Sequence, residues 1–332
     1  MKRMNVNLLT VRNAFTPVLL MLALTIVTSC GGDEDAGFIL PGDEPVKTDG
    51  SNVNKNDAST NKNLARLEFP KVKDDGGNSI VLIRETPSYG ITYSIEYDLT
   101  KRAQRWTCFT LTSANSSRTW NRNNWASQDN YWAKLNYSTY GFYDPFQPDP
   151  DLPADARTEL EEYKGISYQR GHICASSDRL YSKDANEQTF YLSNILPQSK
   201  GLNTGIWQDM EGYVNGNTSP NWNNAKFRDT LFVCKGGTID GTLIRTTTKT
   251  GLIVPKFFFM ALLCRKGSDY KALGFWVEHT DQLKKDGVEN YVVSIDQLER
   301  MTGIDFFCNL PDDIEEKVES ASKAQILKDW NL

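Results

Sequence analysis

The residues able to do chemistry gather between Tyr168 and Glu211, a stretch that opens Tyr-Gln-Arg-Gly-His-Ile-Cys-Ala-Ser-Ser-Asp-Arg and runs on to Leu-Asn-Thr-Gly-Ile-Trp-Gln-Asp-Met-Glu. His172 is one of only two histidines in the 332-residue chain. Arg170 stands two positions earlier, so on an extended segment both side chains project to the same face, and Gly171 between them lets a ligand approach the backbone. Hydrolysis of a phosphodiester needs a base to activate water and positive charge for the developing phosphorane. A neutral imidazole, with an ordinary pKa near ~6.5, suits the first task. A guanidinium, with its fixed fork of donors, suits the second. A histidine beside an arginine is by itself more often a surface feature or a satisfied structural contact, so the flanking blocks decide.

Those blocks are Ser193-Asn194-Ile195-Leu196-Pro197-Gln198 and Leu202-Asn203-Thr204-Gly205-Ile206-Trp207-Gln208-Asp209-Met210-Glu211. If Asn203 starts a helix, Trp207 and Glu211 follow at i+4 and i+8 and share a face within an arc of about 80°. Trp207 then packs that face against the strand carrying His172. On a straight helix Asn203 and Glu211 lie roughly 12 Å apart along the axis, too far to ligate one ion together, so Glu211 acts through water. A single neutral amide ligand suits Mg²⁺, which keeps most of its waters and draws further oxygens from a phosphate.

The ordered blocks resemble the DNA/RNA non-specific endonuclease family, the ββα-metal or His-Me finger nucleases of the Serratia type, over about Tyr93 to Pro311. The resemblance rests on Tyr168-Gln-Arg-Gly-His172, on Leu192-Ser-Asn-Ile-Leu-Pro-Gln198, and on Asn203 with Trp207 and Glu211 following. It implies His172 as general base, Asn203 as direct Mg²⁺ ligand (Mn²⁺ being the alternative ion) and Glu211 as a water-mediated metal or acid partner. It also implies Asn194 as an asparagine that organises the site and Arg170 as the arginine before the histidine. The upstream phosphate-binding arginine resembles Arg122, before Trp125, with Arg118 as competitor. The family's aspartate before Arg-Gly-His is Gln169 here. Lower activity or an altered metal preference is the expected consequence.

Around this stretch, length and composition point to one domain of about 250 residues. A formal net charge of −5 argues against a generally basic surface, so contact with nucleic acid must be local. Lys2, Arg3 and Arg12 precede an apolar run from Pro17 to Val27 that is too short to span a bilayer, and small residues then lead to Cys30. This reads as a lipoprotein signal over residues 1–29 with acylation at Cys30. A flexible tether is expected over residues 30–63 and the endonuclease domain over residues 64–332. The acidic Asp33-Glu34-Asp35 resembles a surface-export signal, with a plain solvated charge run as the equal alternative, and the protein is expected at the outer membrane, on its periplasmic face or at the cell surface. Five further cysteines, Cys108, Cys174, Cys234, Cys264 and Cys308, match no zinc spacing, and Cys234 and Cys264 could pair only across neighbouring strands.

Alternation and apolar runs predict strands at Ile80–Ile83, Tyr93–Asp98, Arg105–Thr112, Asp229–Ile239, Val254–Cys264, Leu273–Val277 and Tyr291–Ser294. Gly236 and Gly237 mark a turn or bulge. Ser294 or Asp296 caps a short helix, and a charged helical pattern follows from Asp312 to Trp330. Between Ser113 and Pro153 the clustered prolines predict a long loop. His279 is expected at a strand end without a chemical role. The fold class is α+β, a largely antiparallel sheet flanked by helices with a ββα-metal motif. The leading functional reading is an Mg²⁺-dependent endonuclease acting on DNA and RNA. The alternatives are an exported nucleic-acid-binding protein with weakened catalysis, and a glycan-binding lipoprotein drawing on the Trp and Tyr residues between Trp106 and Tyr143.

Overall fold

The computed structural model describes residues 51–127, 130–282 and 286–332. The expected signal segment, Cys30 and the tether up to residue 50 lie outside the described residues. The strands in chain order are β1 (Ser79–Thr86), β2 (Gly90–Asp98), β3 (Ala103–Leu111), β4 (Gln169–His172), β5 (Ile195–Gln198), β6 (Thr230–Gly237), β7 (Ile244–Thr247), β8 (Ile253–Pro255), β9 (Phe257–Lys266), β10 (Asp269–Glu278) and β11 (Val292–Val293). The helices are α1 (Arg122–Trp125), α2 (Tyr131–Tyr140), α3 (Lys183–Gln188), α4 (Lys200–Asn203), α5 (Ile206–Asn215), α6 (Ile295–Thr302), α7 (Asp312–Glu319) and α8 (Lys323–Trp330).

Seven strands form one antiparallel sheet in the order β1-β2-β3-β6-β9-β10-β11, while β4-β5 and β7-β8 make separate two-stranded pairs. The α+β expectation with a largely antiparallel sheet holds. Successive residues of the central strands go to opposite faces, and both faces are covered. On one face Tyr93, Ile95, Phe109, Val233, Phe258 and Met260 meet Leu202 of α4, Trp207 and Met210 of α5, and Trp330 of α8. On the other, Trp106, Phe232, Phe259 and Leu263 meet Leu298 of α6 and Val318 of α7. Each fully buried large side chain contributes about 2 kcal/mol. Ile206, Trp207, Met210 and Val214 therefore fix the ten-residue α5 mainly by packing. The whole excursion between β3 and β6 carries the predicted site onto the first of these faces.

Trp207 packs edge-on against Phe258 of β9, at 5.5 Å between ring centres, in the same core as Ile173 and Leu196. Several expectations needed adjustment. The region from 113 to 153 is not wholly a loop: α2 precedes the prolines, capped by Asn130, which accepts from Ala133 N at 2.7 Å, and closed by Gly141 at φ 78°. Pro255, lacking an N–H, splits the strand predicted from Val254, and β9 begins after it. The C-terminal helical pattern breaks into α7 and α8, the second capped by Ser322. Gly236 lies in β6 and not in a turn; a Cβ there would stand 2.6 Å from the Arg105 carbonyl oxygen. Cys234 and Cys264 sit on neighbouring strands but face opposite cores, and all five described cysteines are free and buried.

The domain also begins earlier than residue 64. Ser51 Oγ donates to Asp312 Oδ2 at 2.6 Å. Asn56, 6% exposed, donates to the Pro70 carbonyl at 2.9 Å, accepts from Val72 N at 2.9 Å, and has its own N–H on Asn309 Oδ1 at 3.1 Å. The polar composition that suggested a tether supplies these hydrogen bonds in place of apolar burial. Replacing Asn56 by Ala strands several buried backbone groups and should lower unfolding stability by about 2 kcal/mol in urea titrations. An unchanged midpoint would mean that the segment does not hold the domain.

Candidate active site

The site is built on the β4-β5 hairpin, in which Gln169 faces Gln198 and His172 faces Ile195. The hairpin is locked beyond His172 by Asn194, which is fully buried. Its Nδ2 donates to the carbonyls of Cys174 and Thr189, each at 2.9 Å, and its Oδ1 accepts from Cys174 N at 2.9 Å. With its amide committed to the backbone, Asn194 positions the strand that presents His172 and is not itself a reacting group. Gly171 serves packing and not ligand approach: a Cβ there would meet Gln198 Cδ at 2.2 Å.

The His172 ring lies between Phe146 and Phe190, at 5.2 Å and 4.9 Å between centres. Its Nε2 is enclosed without a hydrogen-bond partner among the described residues. Burial, with the charges of Arg122, Arg170 and Lys235 adding to it, pulls the imidazole down to about 3. It is therefore neutral at any ordinary pH, the form that can accept a proton.

Asn203 is presented differently from the single-helix expectation. It ends α4, the chain breaks at Thr204 and Gly205, and α5 starts at Ile206. The straight-helix spacing from Asn203 to Glu211 therefore does not apply. Asn203 Nδ2 donates to Gln169 Oε1 at 2.8 Å, and no donor among the described residues takes its Oδ1. The start of α4 is held by the second histidine. His279 Nε2 accepts from Ser199 N at 2.7 Å, while its Nδ1 lies 2.8 Å from the Pro255 carbonyl, which identifies Nδ1 as the protonated nitrogen. Gly201 lets α4 approach, since a Cβ would stand 2.5 Å from the Asp281 carbonyl oxygen. His279 follows β10 as expected, and it has a positioning role that its sequence context did not suggest.

Glu211 on α5 reaches Lys235 Nζ at 3.4 Å, and the same ammonium lies 2.9 Å from Asp178 Oδ2. The side chains of Lys235 and Asp178 are both 0% exposed and that of Glu211 is 15% exposed, so two carboxylates share one fully buried cation. Burial pushes Glu211 up to about 7 against the pull of Lys235, and Asp178 adds its charge in the same direction. Lys235, despite its burial, is held above its ordinary value by Asp178 and Glu211. Neither Lys235 nor Asp178 was singled out in the sequence. The available signal was a lysine closing the otherwise apolar run Leu231-Phe-Val-Cys-Lys235 of β6.

Arg170 is 29% exposed, pairs with Asp144 Oδ2 at 2.7 Å and lies over the Phe146 ring at 4.0 Å. Arg122, exposed at the start of α1, borders the same cleft as His172, Arg170, Gln169 and Asn203, with a volume of about 720 Å³. An adjoining recess of about 400 Å³ brings Arg122, His172, Asn203 and Glu211 together. Arg118 lines neither; its Nη1 donates to the Asn215 carbonyl at 3.2 Å, at the end of α5. The geometry thus favours Arg122 as the cleft arginine. Another cavity, about 830 Å³ beside Arg245 and Lys256, borders His279 but none of the other motif residues. The donor set in the recess is a free amide oxygen and a carboxylate, hard oxygens that fit Mg²⁺ or Mn²⁺.

Comparison with known proteins agrees with this geometry. A family model described as DNA/RNA non-specific endonuclease matches residues 82–313. Nuclease C1 of Cunninghamella echinulata var. echinulata is 30% identical over 168 residues, 50% of this chain and 67% of that protein. The mitochondrial nuclease EXOG of Xenopus laevis is 33% identical over 180 residues, 51% of this chain and 48% of its own length. The chain thus spans only about half of that mitochondrial relative. Among solved structures, a chain of the EndoG/EndoGI complex superposes with a TM-score of 0.54 at 18% identity, covering 70% of this chain and 88% of that one. At that identity the likeness speaks for the fold.

With only two histidines, ring titration can be followed residue by residue. Burial also lowers His279, opposed by its Pro255 hydrogen bond. In the folded protein both rings should stay neutral as pH falls through 6.5, His172 down to about 3. The unfolded chain takes up these protons first, so their contribution erodes stability as pH drops below ~6.5 and leaves it untouched above. Imidazole NMR shifts showing His172 titrating near 6.5 would contradict the enclosed geometry.

Proposed function

The chain belongs to the DNA/RNA non-specific endonuclease family, and on that premise we propose that it is an Mg²⁺-dependent endonuclease hydrolysing DNA and RNA with little sequence preference. The observation carrying this reading is the convergence of His172, Asn203, Glu211 and Arg122 on one recess from four separate segments of chain. Arg122 grips the substrate phosphate, and such contacts orient a strand without reading its bases. Arg170, stacked on Phe146 and tied to Asp144, adds positive charge in the cleft that Arg122 also borders. Neutral His172 takes the proton from the attacking water. Phosphate charge beside Arg122 and Arg170 offsets the cations that depress the imidazole, raising its basicity when substrate is present.

Asn203 Oδ1 is the group that would hold the metal, with Glu211 acting through water. When bound, the metal supplies positive charge for the leaving oxygen. Gln169 keeps the Asn203 amide in place but brings no negative charge. It also enforces the orientation less strictly than a carboxylate, since an amide can turn either its oxygen or its nitrogen to Asn203. Reduced metal affinity is the expected cost. The leader and Cys30 support an exported, lipid-anchored protein at the outer membrane.

Purified protein should nick plasmid DNA and degrade RNA with Mg²⁺ and stop in EDTA. His172→Ala should lower the rate by about 10²–10⁴-fold, and Arg122→Ala should cost more than Arg118→Ala. Cleavage by His172→Ala at the wild-type rate would sink the mechanism. For the anchor, the mass of the mature N-terminal peptide should show a lipid on Cys30, and an unmodified Cys30 would refute it.

A further inference from the structure

On the sheet face opposite the cleft, α6 and α7 bring three carboxylates together. Asp296 and Glu299 are three apart on α6 and share a face, and Glu319 ends α7. One oxygen from each lies within 4.8 Å of the others. Glu319 is only 6% exposed, and its Oε1 is buried with no hydrogen-bond donor among the described residues. Glu299 Oε1 accepts a single backbone bond, from Phe306 N at 2.7 Å. Asp305 and Glu315 stand nearby, and Asn54 Nδ2 donates to both, at 3.2 Å and 3.0 Å.

We propose that Asp296, Glu299 and Glu319 form a binding site for a hard divalent cation, Ca²⁺ foremost, that ties α6 to α7. The deciding feature is the orphaned buried oxygen of Glu319. A carboxylate out of water requires a partner, and an unpaired one costs several kcal/mol. Burial drives the proton affinity of Glu319 far up, and the charged groups that act on it most, Glu299, Glu315, Asp296 and Asp305, are all acidic and add to it. Burial, opposed by the Phe306 N–H and reinforced by the neighbouring carboxylates, raises Glu299 to about 8. A bound cation relieves both penalties together. Donors that are all oxygen exclude the soft metals, and several carboxylates converging on one point suit Ca²⁺, which takes six to eight oxygens, better than Mg²⁺, which retains its waters. The site is distinct from the catalytic recess, because α6 and α7 pack on one core and α4 and α5 on the other.

The test is thermal unfolding of the metal-stripped protein with Ca²⁺ or with EGTA. Ca²⁺ should raise Tm by a few degrees in the wild type and equally in Asn203→Ala, where the catalytic ligand is gone. Glu319→Gln imitates the protonated acid. In EGTA it should melt at or above the wild-type temperature, keep nuclease activity with Mg²⁺, and gain nothing from Ca²⁺. Glu299→Gln serves as a second variant and should likewise lose the Ca²⁺ increment. No Ca²⁺ increment in the wild type, or an undiminished one in both variants, would overturn the site and leave a cluster that holds its own protons.

Discussion

One buried ammonium joins the parts of this molecule that must act together. Lys235 projects from β6, in the middle of the main sheet, onto the face where the excursion between β3 and β6 packs. Its two partners come from different pieces of that excursion: Asp178 from the turn just beyond the His172 strand, and Glu211 from α5. An ion cluster away from water is weak evidence for stability, because desolvation offsets much of the attraction, but losing one member leaves the others uncompensated. The geometry it imposes is specific. It sets the hairpin and α5 against one strand, and the recess lies between them.

The remaining contacts refine that placement. Asn194 fixes the backbone after His172, and His279 fixes the backbone at the start of α4. Each uses side-chain atoms on backbone groups, which makes the presenting segments rigid without placing more charge in the cleft. The result is an uncharged base surrounded by cations: Arg122, Arg170 and Lys235 all disfavour protonated His172. Such a site is suited to an anionic substrate, whose charge offsets the cationic repulsion that adds to burial in keeping the imidazole a weak base.

Much of this was legible in the sequence because it depends on local pattern. An apolar run located β1, alternation located β2, strands were expected where β3 and β6 lie, and of the two caps expected for α6, Ser294 or Asp296, Ser294 holds the position. The site residues were legible as types in order, and His172, Asn203 and Glu211 do meet at one recess. The misses at the site are long-range or hinge on a local break. The Thr204-Gly205 interruption, read as part of one helix, changes how Asn203 and Glu211 relate. The partners of Lys235 lie 57 and 24 residues away in the chain, and those of Asn56 include a residue 253 positions away, so no periodicity reveals them. His279 could not be separated from an idle strand-end residue until its contact with Ser199, 80 positions away, was seen.

The claim that three segments form one site because Lys235 joins them is tested most directly by Lys235→Met, assayed for Mg²⁺-dependent plasmid cleavage with His172, Asn203 and Arg122 all intact. Methionine fills a similar volume and removes only the ammonium. The account predicts a cleavage rate at least about tenfold lower and a loss of about 3–5 kcal/mol in unfolding stability, because buried Asp178 and partly buried Glu211 lose their shared cation. Wild-type cleavage with an unchanged Mg²⁺ requirement would contradict it.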